Sequence, residues 1–211
     1  RYCWLRDAFF VVRALNSLAE VETMEHYLRY IANVVGSANG GHLQPVYGIA
    51  LERRLEEAEV PALAGYRGMG PVRVGNQAYG HLQHDVYGNV VLAAAQAFFD
   101  RRLLRPATGQ DFERLERVGD QAFRVYATPD ASMWELRTRE RVHTSSALMC
   151  WAACDRLGRI AGQLGRAERA AFWAGRAATI RADIERRAWD GRRGSFVDSF
   201  GGSDVEAGLL L

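Results

Sequence analysis

Helical periodicity dominates this chain, in blocks joined alternately by short and by long connections. Phe9, Val12, Leu15 and Leu18 recur near helical spacing over 7–20, and Met24, Tyr27, Leu28 and Ile31 carry the stripe into a second block that Gly36 to Gly41 ends. A third helix is predicted over 78–100. A fourth, over 110–126, sets Phe112, Leu115, Val118, Ala122 and Val125 on one face, and Thr128-Pro129-Asp130 stops it because proline cannot continue a helix. A fifth runs over 145–164, with Thr144 and Ser145 as candidate caps and Gly165 as the stop. A sixth, over 167–189, shows Trp173, Ala177, Ile180 and Ile184 on one side, and a last helix begins near 203. Segments 43–49 and 194–200 read as extended. The stretch 52–76, with Pro61, Gly65, Gly68, Gly70 and Pro71, reads as a long loop holding one helical turn.

A helix apolar along one stripe must bury that stripe against another element. About seven such helices with few strands make an all-α protein: a bundle, a solenoid, or part of a helical toroid with a pocket at one rim. No fixed-period repeat supports the solenoid. Long loops at alternate helix ends favour the toroid, and long ordered loops are often functional.

Composition removes several function classes. A chain of 211 residues, 48% hydrophobic and 25% charged, can bury a real core. A net charge of +2, with no basic run interleaved with aromatics, excludes a nucleic-acid partner. All 27 basic residues are arginine, which reads as biased codon usage rather than as an anion site. No apolar run approaches the ~20 residues needed to span a bilayer, so no membrane partner is expected. Cys3, Cys150 and Cys154 have no metal-type spacing and read as free thiols, with no metal and no cofactor implied. They favour a reducing, cytoplasmic setting.

Two patches carry chemistry. Trp4-Leu5-Arg6-Asp7 sets forked donors and acceptors beside a flat indole, a combination suited to sugar hydroxyls and the sugar face. Ser132-Met133-Trp134-Glu135-Leu136-Arg137 sets a carboxyl against an apolar ring, where its charged form is disfavoured and it can serve as an acid. Taken alone, the first patch also fits an ion pair at a helix start, and the second a surface carboxylate beside a packed indole. His84 and His143 read as packing or hydrogen-bonding histidines.

The order of the motifs adds a family resemblance. Tyr2-Cys3-Trp4-Leu5-Arg6-Asp7-Ala8 resembles the Tyr-x-Trp-x-Arg-Asp segment of glycoside hydrolase family 15, the glucoamylase, glucodextranase and trehalase group. Gly65-Tyr66-Arg67-Gly68, Pro71-Val72-Arg73-Val74-Gly75-Asn76 and Leu82-Gln83-His84-Asp85-Val86-Tyr87-Gly88 are similar to its bacterial members in the same order. So are the Trp134-Glu135 segment, Met149-Cys150-Trp151 and the Ser195 to Gly201 stretch followed by Leu209-Leu210-Leu211. Ala147 departs from a polar position common in bacterial relatives.

The resemblance implies an (α/α)6 toroid with minor peripheral strands and an exo-acting, inverting hydrolysis of α-glucosidic bonds that releases glucose. It makes Glu135 the general acid. Arg6 and Asp7 would hold the terminal glucose, with Trp4, Tyr79, Gln83, Asp85 and Trp134 completing the substrate site. The partner would be an α-linked gluco-oligosaccharide or disaccharide. The family's base lies in a later segment without a counterpart here. Residues 1–211 are therefore expected to be part of a catalytic domain, lacking N- and C-terminal parts, inactive alone, and prone to self-associate through exposed toroid edges. The competing expectation is a non-catalytic helical toroid serving as a regulatory or interaction scaffold.

Overall fold

The computed structural model describes residues 1–136 and 138–210, with the backbone alone at Asn39; Arg137 and Leu211, which close two of the motifs, lie outside the described residues. Among the described residues, six α-helices carry the fold: α1 (Leu5–Ser17), α2 (Val21–Ser37), α3 (Asp85–Phe99), α4 (Gly109–Val125), α5 (Thr144–Gln163) and α6 (Ala167–Ala188). Each consecutive pair packs as a hairpin, and α1, α3 and α5 also lie against one another in a row. Three α/α hairpins are half the complement of an (α/α)6 toroid, so the expected all-α architecture holds.

Local chemistry sets most helix boundaries. α4 starts one residue before expectation because Thr108 and Asp111 form a reciprocal capping box: Asp111 Oδ2 accepts the Thr108 N–H at 2.9 Å, and Thr108 Oγ1 accepts the Asp111 N–H at 3.4 Å. The helix expected over 78–100 begins instead at Asp85. A 3-10 turn at Gln77–Gly80, capped by Asn76, precedes it, and His81 is extended. Gln83, His84 and Asp85 are buried polar residues, and their contacts break the helix that the apolar pattern suggests. Thr144 and Ser145 do not cap α5; His143 occupies the N-cap position, and Ser145 bonds Glu206 instead. The helix expected near 203 is only a 3-10 turn, Ala207–Leu210.

Strands are short and peripheral. β1 (Tyr2–Trp4) pairs antiparallel with β2 (Val46–Gly48), so that Trp4 faces Val46. The long loop contains β3 (Ala58–Glu59) paired with β4 (Arg73–Val74) and, where one helical turn is expected, a tight turn at Tyr66–Gly68 whose Arg67 is in the left-handed region at φ +54°. β5 (Trp189–Asp190) and β6 (Ser195–Phe196) close a small ribbon after α6.

The core runs along the helix row and includes Leu5, Ile31, Val90, Phe112, Leu157 and Ile180 in one cluster. Close approach is built in by small residues. A Cβ at Gly88 on α3 would land on the Met149 carbonyl oxygen of α5, and one at Gly119 on α4 would strike Leu157 and the Trp173 ring. Trp173 is fully buried, yet its indole N–H reaches Glu116 Oε1 at 2.7 Å. Cys150 and Cys154 are buried free thiols whose acidity burial suppresses; Cys154 is pushed up to about 12.

This topology decides where a site can form. Partners in a hairpin run antiparallel, so α1, α3 and α5 point the same way. Their N-termini share one rim with the long connections 38–84 and 126–143. Both sequence patches and the Gln83–Asp85 segment lie on that rim.

Candidate active site

Trp4 is held at the end of β1 by its ladder to β2, and α1 starts immediately after it with Leu5 N–H donating to the Pro45 carbonyl at 3.0 Å. From there the Trp4 indole N–H donates to Glu135 Oε1 at 2.7 Å across 131 residues of sequence. Both side chains are part-buried. Trp4, Tyr2 and Tyr79 also pack on Val46, Leu55 and Ala78, which makes an apolar wall beside the carboxyl.

Glu135 rides on a tight turn. Its φ is +54° and that of Ser132 is +62°, both in the left-handed region that side chains rarely adopt. The Glu135 N–H donates to the Ser132 carbonyl at 3.2 Å, and Leu136 N–H reaches back to the Ala131 carbonyl at 3.0 Å. Strained backbone persists only where the surroundings over-determine it, and such places cluster at functional sites.

The over-determining group is Asp130, which is fully buried. Its Oδ2 accepts the His84 N–H and the Ser146 hydroxyl, both at 2.7 Å, and its Oδ1 accepts the Ser132 N–H at 3.3 Å. One carboxyl thus ties the start of α3, the first turn of α5 and the Glu135 turn together. Burial pushes its pKa up, to about 6, against the pull of those donors. Burial acts on His84 in the opposite chemical sense and holds its imidazole down to about 4.

Arg6 lies on the first turn of α1 beside Trp4. Its Nη1 donates to Gln83 Oε1 and to Asp85 Oδ2, each at 3.1 Å. Asn89, one turn further along α3, donates to the same Asp85 oxygen at 3.1 Å. Asp85 and Gln83 are nearly inaccessible, so both hold the guanidinium from behind rather than facing the rim. Arg6 Nη2 is also 3.8 Å from Asp7, whose carboxyl stands out in solvent.

The structure therefore brings Trp4, Arg6, Tyr79 and Glu135 to one rim, with Gln83 and Asp85, expected to touch substrate, buried behind Arg6 instead. Trp134 is placed differently from the expectation that its ring shields Glu135. The indole is 52% exposed and its N–H donates to Glu206 Oε2 at 2.7 Å, while the ring that bonds Glu135 belongs to Trp4. Sequence reasoning missed Asp130, Asn89 and Ser146, whose partners lie too far along the chain for spacing to reveal. Asp130 was legible only as part of a helix-ending turn.

Helical hairpins in a row, with the Glu135 carboxyl bonded to the Trp4 indole and Arg6 held nearby in sequence at one end, are compatible with part of an (α/α)6 toroid. The comparisons agree: the model of glycosyl hydrolases family 15 matches residues 1–211, and the chain belongs to that family. It is 35% identical over 214 residues to the trehalase of Mycobacterium tuberculosis, with all of this chain and 31% of that protein covered. It is 34% identical to the trehalase of Mycolicibacterium smegmatis, again covering 31% of it, and 29% identical to that of Thermoplasma volcanium, covering 33%. The chain thus spans about a third of the length of the curated relatives it matches. No solved structure gives a significant match.

Proposed function

We propose that the full-length protein carrying this chain hydrolyses α-glucosidic bonds with inversion, and that α,α-trehalose is its substrate. The observation that carries the reading is the 2.7 Å bond from Trp4 to Glu135, which ties a part-buried carboxyl to the strand end that leads into Arg6 and Asp7. The trehalase names of the relatives support the choice of sugar.

Glu135 acts as the general acid. It gives its proton to the bridging oxygen as the bond from that oxygen to the anomeric carbon breaks, and the second glucose leaves as an alcohol. The charge that develops on the sugar ring resembles an oxocarbenium ion. Water adds to the anomeric carbon from the opposite face and loses its proton to a second carboxylate about 6.5–9.5 Å from the acid. The resemblance to the family implies that this base belongs to a later segment of the family domain. Inversion of one half of trehalose releases one β-glucose and one α-glucose. Trp4 holds the acid in place and Tyr79 completes the apolar wall. Gln83 and Asp85 fix Arg6, whose remaining donors, with Asp7, meet the hydroxyls of the glucose to be released.

The test is Glu135→Gln in the full-length protein. Glucose release from trehalose should fall by about 10²–10⁴. A variant as active as the parent removes Glu135 as the acid. A parent that cleaves maltooligosaccharides and not trehalose corrects the substrate.

A further inference from the structure

Glu206 plays no part in the mechanism above, yet it touches the acid loop. Its Oε2 accepts the Trp134 indole N–H at 2.7 Å, and its Oε1 accepts the Ser145 hydroxyl, from the first turn of α5, at 3.3 Å. The fit extends to the neighbouring residue. Gly208 is buried, and a Cβ there would lie 2.9 Å from Glu206 Oε1 and 3.1 Å from Met133 Sδ. The residues around Glu206, namely Asp204, Val205 and Ala207, are exposed, so Glu206 is the one that turns inward from this stretch.

Trp134 itself is half out in solvent. A free indole in that position samples several rotamers, and ordering it on a ligand costs conformational entropy. A hydrogen bond to a carboxylate that is itself held by Ser145 removes much of that freedom in advance. The outcome is a fixed flat ring on the solvent side of the Glu135 turn, next in sequence to the proposed acid. Trp4 and Arg6 are more buried.

We propose that Glu206 is a positioning residue: through Trp134 it prepares the surface that receives the sugar on the leaving-group side. The inference rests on the hydrolase reading above. It assigns a specificity role to a carboxylate 71 residues beyond the acid in sequence.

The experiment uses the full-length protein and two substrates, trehalose and α-glucosyl fluoride, which share the released glucose but differ in having a second sugar. Glu206→Ala should raise KM for trehalose about tenfold, the effect expected for losing a bond to a charged acceptor. It should leave KM for the fluoride within about twofold. Glu206→Gln keeps an oxygen that accepts the indole N–H and should restore most of the trehalose affinity. Trp134→Phe keeps a ring but has no N–H, so adding Glu206→Ala to it should change little more. Equal effects on both substrates, additive effects in the double variant, or no rescue by glutamine overturn the inference.

Calorimetric binding of trehalose and glucose reads the same contrast without turnover. A parent that binds trehalose more tightly than glucose but cleaves nothing sinks the hydrolase reading, and the loss or persistence of that preference in Glu206→Ala still decides the inference. A parent that binds neither sugar overturns both.

Discussion

At the scale of single residues, the site is organised by a pair of buried groups with opposite proton preferences. The fold favours the protonated form of Asp130, whose pKa burial raises from 3.8 to about 6, with Asp85 adding to the rise and His143 opposing it. It favours the neutral form of His84, which burial lowers from 6.5 to about 4 against the pull of Asp85 and Glu140. Alone, Asp130 would contribute stability that is complete below pH 3.8 and is lost as pH rises through 6. Alone, His84 would contribute stability that is complete above pH 6.5 and is lost as pH falls through 4. Each effect amounts to roughly 3 kcal/mol, and over pH 4–6 they run in opposite directions. The parent should therefore show a nearly flat stability profile across that range. Asp130→Asn should uncover the histidine, so that stability rises with pH; His84→Gln should uncover the aspartate, so that it falls. Urea midpoints at several pH values check this, and two variants that keep the parent's profile would refute it. Residues of this kind were illegible in the sequence. Glu135, Trp4 and Arg6 announced themselves by their neighbours, but Asp130 acquires its importance from donors 46 and 16 residues away.

At the scale of elements, the helices that could be read were those with a sharp apolar stripe and a local terminator. α4 and α6 fall within a residue of their expected bounds, because the capping box and the buried face are both encoded within the segment. The start of α3 was misjudged, since the contacts of Gln83, His84 and Asp85 with Arg6 and Asp130 override local preference. β1 was missed for the same reason; three residues become a strand only because Val46–Gly48 lies alongside. Contact between α3 and α5 suggests a paired measurement. Gly88→Ala places a methyl group on a backbone carbonyl that has no rotamer to escape into, and should destabilise the protein by about 3 kcal/mol. Gly175→Ala, on the exposed face of α6 with open space around it, should stabilise by up to about 1 kcal/mol. Thermal unfolding of the two variants reports opposite signs. Matching signs would show that α3 and α5 are not packed this closely.

At the scale of the whole molecule, contacts within each hairpin are close in sequence, whereas the bond joining Trp4 to Glu135 spans 131 residues. Local contacts form early in folding, and those that close long loops are delayed by the entropy of closure. On dilution from urea, helical circular dichroism should recover before the fluorescence of Trp4, and Trp4→Phe should remove the slower optical signal. A single shared rate constant for both signals would refute this ordering. The hairpin architecture was visible from the spacing of apolar residues, because each stripe is local. The convergence at the rim was visible only through the motifs, since nothing in a periodic pattern says which loops will meet.

Trp4 enters the first hairpin and Glu135 lies in the connection between the second and third, so the catalytic role proposed for Glu135 requires those hairpins to dock. Sugar cleavage would then serve as a certificate of correct assembly. A misassembled molecule could keep its helicity in full and still be silent in a glucose assay.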